Sequence, residues 1–152
     1  MKAVIQRVKN ASCTVDGVVT GSIESGLLVY FGVDKDDEEW ILLPFLEKIV
    51  KLRIFQDEND KMNLSIKDVN QAILIISQFT LCANVYRGNR PSFDNAMEPS
   101  KANSLYQKAI TMLRDMGIHT ETGIFGAHMD VQYLNDGPIT FIVDSKEGKF
   151  RK

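Results

Sequence analysis

An α+β domain with a mostly antiparallel, curled sheet and two main helices is the fold class this sequence predicts. Three observations carry it. Most of the 152 residues fall into short alternating or apolar stretches bounded by turn residues, and only two stretches show helical spacing. No linker, low-complexity segment or repeat divides the chain, so residues 1–152 are expected to form a single domain, long enough to bury an ordinary core unaided. The sheet is expected to curl toward a barrel, a closure that periodicity alone does not fix.

In order along the chain, "KAVIQRVKNASCTV" alternates as a strand, and "VDGVVTGSI" turns it back through Asp16-Gly17. "GLLVYFGV" is nearly continuous in apolar residues, as a buried strand is. From Asp36 to about Leu52 the spacing turns helical, with Phe45, Leu46, Ile49 and Leu52 on one side; Pro44 implies a kink or a helix that starts near it. "LRIFQDENDKMNLSI" reads as strand, polar turn and return, and "QAILIISQFTL" as a second buried strand. "YRGNRPSF" is a loop by its Gly, Asn and Pro. The clearest helix runs from about Pro99 to Met116, with Ala102, Leu105, Tyr106, Ala109, Ile110, Leu113 and Met116 at helical spacing and Gly117 as its stop. "IHTETGIF", "MDVQYL" and "ITFIVDS" return to β. The last two flank Asn135-Asp136-Gly137, strong hairpin chemistry, yet Pro138 removes an N–H where the return strand would begin. Pro138 is either the first residue of an edge strand or part of a Gly-Pro peptide held in an unusual geometry, cis among the options, and aimed at something.

Composition narrows the function classes. The chain is 44% hydrophobic and 25% charged, with 18 Lys plus Arg against 20 Asp plus Glu and a net charge of −2. That balance disfavours a large non-specific nucleic-acid interface but not a local one. The basic residues do cluster: Lys2, Arg7 and Lys9; Arg87 and Arg90; Lys146, Lys149, Arg151 and Lys152. Cys13 and Cys82 lie far apart without ligand spacing, which fits a reducing compartment and buried packing. "MKAVIQRV" lacks a signal-peptide core, and "LLVYFGV" at 27–33 is too short to span a bilayer, so a cytoplasmic protein without membrane contact is expected.

The usual chemical motifs are missing. His119 and His128 have no H-x-x-x-H spacing and no neighbouring cysteine, so no metal is expected and both read as surface or structural histidines. There is no phosphate-cradling glycine motif and no nucleophile elbow, and no cofactor is expected. Asp57, Glu58 and Asp60 cluster, but in an evident polar turn. "SQFTL" at 77–81 remains. Ser77, Gln78 and Thr80 offer hydroxyl and amide groups at the mouth of a rigid apolar strand, and the N–H groups of Phe79 and Thr80 could face a ligand. A strand simply ending in a loop explains the same residues.

Taken together, "SQFTL" at 77–81, "GNRPSF" at 88–93 and "NDGPIT" at 135–140 resemble the D-aminoacyl-tRNA deacylase (D-tyrosyl-tRNA deacylase) family. "MKAVIQRVKNASCTVDG", "GLLVYFGVDKDD", "KLRIFQDENDKMNLS" and "ETGIFGAHMDVQYLNDGP" extend the likeness over essentially the whole chain. The resemblance implies a homodimeric hydrolase that cleaves the ester between a D-amino acid and the 3′ acceptor end of tRNA. It implies that Gly137-Pro138 is cis and enters the partner subunit's pocket as a rigid backbone wall, with Arg7 holding the bend. It also implies that Phe125, Met129 and Ala102 line the pocket and that Ser77, Gln78, Phe79 and Thr80 form the catalytic segment. A wall of this kind separates D from L without reading side chains, and glycine passes it, which makes glycyl-tRNA a second expected substrate. Two schemes follow for Thr80: a nucleophile forming an acyl-enzyme, or an oxyanion donor alongside the Phe79 N–H, with the ribose 2′-OH assisting water. The missing general base favours the second. Arg87 and Arg90 are candidates for phosphate contacts, or plain surface residues. The apolar "WILLPFL" around Pro44 departs from what the resemblance implies for a surface helix. Two other readings stay open: a Thr80-dependent hydrolase of small esters, and a non-catalytic RNA-binding module.

Overall fold

In the computed structural model of the chain, which describes residues 1–148 and 150, the opening alternation becomes strand β1, Lys2–Val15, whose side chains alternate between buried and half-buried. Asp16 and Gly17 both take positive φ, 49° and 78°, and return the chain into β2, Val18–Ile23. That is the two-residue turn whose twist matches paired strands. Then come β3, Gly26–Gly32, helix α1, Leu42–Lys51, the small hairpin β4, Phe55–Gln56, and β5, Met62–Leu64, and strand β6, Ala72–Ser77. Helix α2, Pro99–Asp115, precedes β7, Thr120–Thr122, and β8, Asp130–Asp144. Of the terminal basic cluster, Lys149, Arg151 and Lys152 lie outside the described residues.

The main sheet runs β2-β1-β3-β6-β7, with β8 on the other edge of β1. It is mostly antiparallel, as expected, since β1 pairs antiparallel with β2, β3 and β8, but it is mixed rather than purely so. Strands β3 and β6 pair parallel, as do β6 and β7, because α1 and α2 carry the chain back between them. The sheet curls until its ends meet, with Gly21 of β2 lying so close to the Thr122 carbonyl of β7 that a Cβ there would collide with it. Strands β3 and β6 are buried on both faces. Leu27, Val29, Phe31, Ile73 and Ile75 face the helices, whereas Leu28, Leu74 and Ile76 join Val8, Ala11, Cys13 and Ile23 inside the curl. Each such side chain contributes roughly 1.5–3 kcal/mol by leaving water.

Helix α1 buries Leu42, Phe45, Leu46, Ile49 and Val50 at successive turn spacings, and Pro44 falls in its first turn, where an amide hydrogen is not needed. Leu52 caps its C-terminus in an extended conformation. Helix α2 buries Leu105, Tyr106, Ala109, Ile110 and Leu113, and Glu98 caps it by accepting from the Ser100 and Lys101 amides. Both cysteines are buried and free. Burial beside Asp34 pushes the Cys82 thiol up to about 12, so it stays protonated. No helix among the described residues is long and apolar enough to cross a membrane.

The expected hairpin at Asn135-Asp136-Gly137 is not one. β8 runs straight on through this segment and pairs with β1 on both sides of it. Its partners are Asn135 opposite Val8 and Thr140 opposite Gln6, so β8 advances five residues while β1 advances two. The excess bulges out as Asp136 to Ile139. Turn chemistry misled the reading because a bulge needs the same positive φ, 128° at Gly137, that a turn needs.

Candidate active site

The bulge is stapled at its neck. Asn135 donates from Nδ2 to the carbonyls of both Arg7 and Ile139, each at 3.0 Å. Arg7, only 6% exposed, donates from Nη1 to the Ile54 carbonyl at 2.8 Å and brings Nε within 3.1 Å of Asp136 Oδ2, an ion-pair distance without hydrogen-bond alignment. Between these anchors the Gly137–Pro138 peptide is cis, and both residues are exposed. Arg7, Asp136, Ser25, Gln56 and Gln71 also border a small polar cavity of about 210 Å³.

The other sequence-predicted residues gather elsewhere. β6 ends at Ser77, and Gln78 leads into a short 3₁₀ turn, Phe79–Cys82. This turn is pinned where it leaves the sheet, since the Gln78 N–H donates to the Phe31 carbonyl at 2.8 Å. It is also packed against glycine: a Cβ on Gly32 would stand 2.8 Å from the Gln78 carbonyl and 3.1 Å from Leu81 Cβ. The first bond within the turn runs from the Leu81 N–H to the Gln78 carbonyl, so the N–H groups of Phe79 and Thr80 come before it. Gln78 Nε2 donates to Thr80 Oγ1. No imidazole or carboxylate bonds to that hydroxyl among the described residues.

A cavity of about 580 Å³ opens beside this turn, lined by Phe31–Val33 and Ile76–Phe79 at the ends of β3 and β6, by Met97–Pro99, Ala102 and Tyr106 from α2 and its approach, and by Phe125–Met129. Ser77, Gln78, Phe79, Ala102, Phe125 and Met129 therefore share one chamber. Thr80 sits at its rim, exposed, one residue beyond the lining. Gly137, Pro138 and Arg7 do not line it, and neither do Arg87 and Arg90, which are exposed in the loop after the turn. Arg87 and Arg90 have no ion pair among the described residues.

Sequence reading missed several walls. Tyr106 was counted only as a core position; it is core, but its hydroxyl donates to the Ile75 carbonyl at 2.8 Å and its ring packs on Phe125, forming the chamber floor. Burial raises its phenol well above the usual value, so it is neutral. Phe93 meets Phe79 edge-on, with centroids 5.0 Å apart, at the chamber mouth. His128 lines the chamber although its side chain is almost wholly exposed, 3.6 Å from Asp130. His119 lies 3.1 Å from Glu121 on the surface. Among the described residues no three His, Cys, Asp or Glu side chains converge as metal ligands.

Nearly the whole chain has known relatives. Residues 4–144 match the family described as D-Tyr-tRNA(Tyr) deacylase. The chain is 51% identical over 147 residues to the D-aminoacyl-tRNA deacylase of Koribacter versatilis, covering 97% of this chain and 99% of that protein. The same protein of Aquifex aeolicus gives 51% over the same coverage. A solved structure of the c-Myc DNA Unwinding Element Binding Protein superposes with a TM-score of 0.89 at 38% identity, covering 95% of this chain and 98% of that one. With its matched span running from β1 to the last residue of β8, the chain belongs to the D-Tyr-tRNA(Tyr) deacylase family.

Proposed function

We propose that the protein hydrolyses the ester between a D-amino acid and the 3′ end of tRNA, with glycyl-tRNA as a second substrate and L-aminoacyl-tRNA rejected. The observation that carries this reading is the division of the site: an apolar chamber with backbone donors at its rim, and a stapled bulge whose Gly137 and Pro138 do not line that chamber. A homodimer in which each bulge enters the partner's chamber joins the two halves. The unpaired outer edge of β8 supports such pairing, because it exposes Tyr133, Leu134, Phe141 and Ile142, the last 76% exposed. The protein then works in the cytoplasm, where aminoacyl-tRNA is made and used.

Within that assembly the Gly137 and Pro138 backbone walls the side of the chamber next to the α-amino group. The D arrangement at Cα clears it, the L side chain collides, and glycine has nothing to collide with. Chamber residues Phe125, Met129 and Ala102 bound the ligand without hydrogen-bonding to its side chain, so many D-amino acids fit. Water adds to the ester carbonyl, and the Phe79 N–H and the Thr80 hydroxyl hold the developing oxyanion. The C–O bond to the ribose then breaks, the carboxyl group keeps the water oxygen, and the 3′-oxygen leaves with a proton relayed by the neighbouring 2′-OH. Thr80 is a donor here rather than a nucleophile, since among the described residues the side chain bonded to its hydroxyl is an amide, which cannot take its proton. Arg87 and Arg90 contact tRNA phosphates.

Deacylation of one tRNA carrying D-tyrosine and, separately, L-tyrosine tests the proposal at neutral pH without added metal. Loss of the D-ester alone is expected. If both esters survive while tRNA still binds, the RNA-binding module replaces the enzyme. Thr80→Val is expected to slow the D-ester reaction by roughly 10²–10³-fold, the usual loss for one oxyanion donor. A substrate ending in 2′-deoxyribose is expected to resist hydrolysis; unimpaired turnover, with a trapped acyl-enzyme, would instead establish Thr80 as the nucleophile.

A further inference from the structure

The loop that leaves the Phe79–Cys82 turn is a small closed hairpin. Asn84 and Ser92 exchange both backbone hydrogen bonds, at 2.8 and 3.0 Å, which makes Val85 to Pro91 a projecting tip. Tyr86 is fixed there by its own N–H, which donates to Asn84 Oδ1 at 3.0 Å, yet its ring is 94% exposed. Arg87 and Arg90 share the tip without ion pairs among the described residues, and the nearest acid in sequence, Asp94, is bonded by the Ser92 hydroxyl at 2.6 Å. The hairpin base is tied to the chamber mouth on both sides. One arm continues directly from the turn carrying Thr80, and the other ends in Phe93, packed edge-on against Phe79. A tip of this length can reach at most about 10–12 Å from the bridge.

We propose that Tyr86 is a stacking platform for an unpaired base of the tRNA 3′ strand, upstream of the aminoacylated nucleotide, with Arg87 and Arg90 on the flanking phosphates. The inference rests on the deacylase reading and adds the element that grips the RNA outside the chamber. An exposed aromatic ring in the same short loop as two exposed arginines suits single-stranded nucleic acid, since every base has a face to stack and every linkage a charge to neutralise. It suits a folded protein partner less well, because Tyr86 and Val85 are the tip's exposed large apolar side chains and share it with two exposed arginines. In a chain of net charge −2 this tip is a local positive site beside the chamber mouth, where the strand leaving a bound ester must pass.

The test compares D-tyrosyl-tRNA with D-tyrosyl-adenosine, which carries the ester but no upstream nucleotide. Tyr86→Ala is expected to raise KM for the tRNA about tenfold, within the ~5–150-fold range of losing one stacked base, with kcat unchanged. The same variant is expected to treat the adenosine ester as the wild type does, and Tyr86→Phe to restore the tRNA KM. Arg87→Ala and Arg90→Ala are each expected to reduce the slope of log kcat/KM against log salt by about 0.7, as loss of one single-strand phosphate contact does. Equal losses on both substrates, or none on tRNA, would overturn the proposal. So would a changed sedimentation mass for Tyr86→Ala, which would make the tip a subunit interface. A wild type inactive on both esters would overturn the deacylase reading, and this inference with it.

Discussion

At Gly32 the absence of one methyl group decides where Phe79 and Thr80, the proposed oxyanion donors, stand. The Gln78 carbonyl and Leu81 Cβ occupy the space a side chain would take, so Gly32→Ala must displace the turn that carries Phe79 and Thr80. The expected outcome is a loss of about 1–3 kcal/mol in urea unfolding, from overpacking, together with at least a tenfold fall in D-tyrosyl-tRNA turnover. Arg7 works at the other half of the site. Arg7→Met leaves the Ile54 carbonyl and Asp136 without their cation, and a cost of about 2–3 kcal/mol is expected from the lost charged hydrogen bond. With the neck of the bulge loosened, L-tyrosyl-tRNA hydrolysis should rise relative to D. A stability loss with unchanged D/L preference would separate Arg7 from selection.

At the scale of elements, α2 carries a pH-dependent cap. The Ser100 amide and hydroxyl and the Lys101 amide hold the Glu98 carboxyl below its ordinary value of 4.5. A depressed folded value means the cap stabilises fully above that ordinary value and weakens as pH falls through the folded one. Thermal midpoints of wild type and Glu98→Gln should therefore differ most above the ordinary value of 4.5 and converge as pH falls through the depressed folded value. Helices and buried strands were legible because burial imposes a period: Phe45, Leu46 and Ile49 on α1, and the unbroken apolar runs of β3 and β6. Those runs also carried the mark of parallel pairing, burial on both faces, which the antiparallel expectation passed over. The bulge in β8 was illegible as such, since Asn135-Asp136-Gly137 serves a turn or a bulge equally well and only pairing with distant β1 decides. The chamber's local segment, Ser77 to Thr80, could be named from sequence. Tyr106, Phe93 and His128 could not, because their part in the wall arises from packing between α2, the loop and the segment before β8.

For the whole molecule, the proposed homodimer with its divided site makes a prediction that no single chain can meet. A protomer with Thr80→Val and one with Gly137-Pro138 replaced by Ala-Ala are each defective alone, the first in rate and the second in D/L preference. Mixed and allowed to exchange subunits, they should recover D-selective turnover, because one chamber in each mixed dimer joins an intact turn to an intact bulge. Additive behaviour of the two parents would place both halves in one chain. The bulge also bears on how such a protein can change over time. Strand β8 pairs with β1 on both sides of Asp136 to Ile139, so Gly137 and Pro138, between the anchored Asp136 and Ile139, take no part in that ladder. If the bulge is the proposed wall, substitutions at Gly137 and Pro138 should alter what the protein admits while the barrel folds as before. Discrimination and folding can therefore be inherited and modified as separate traits.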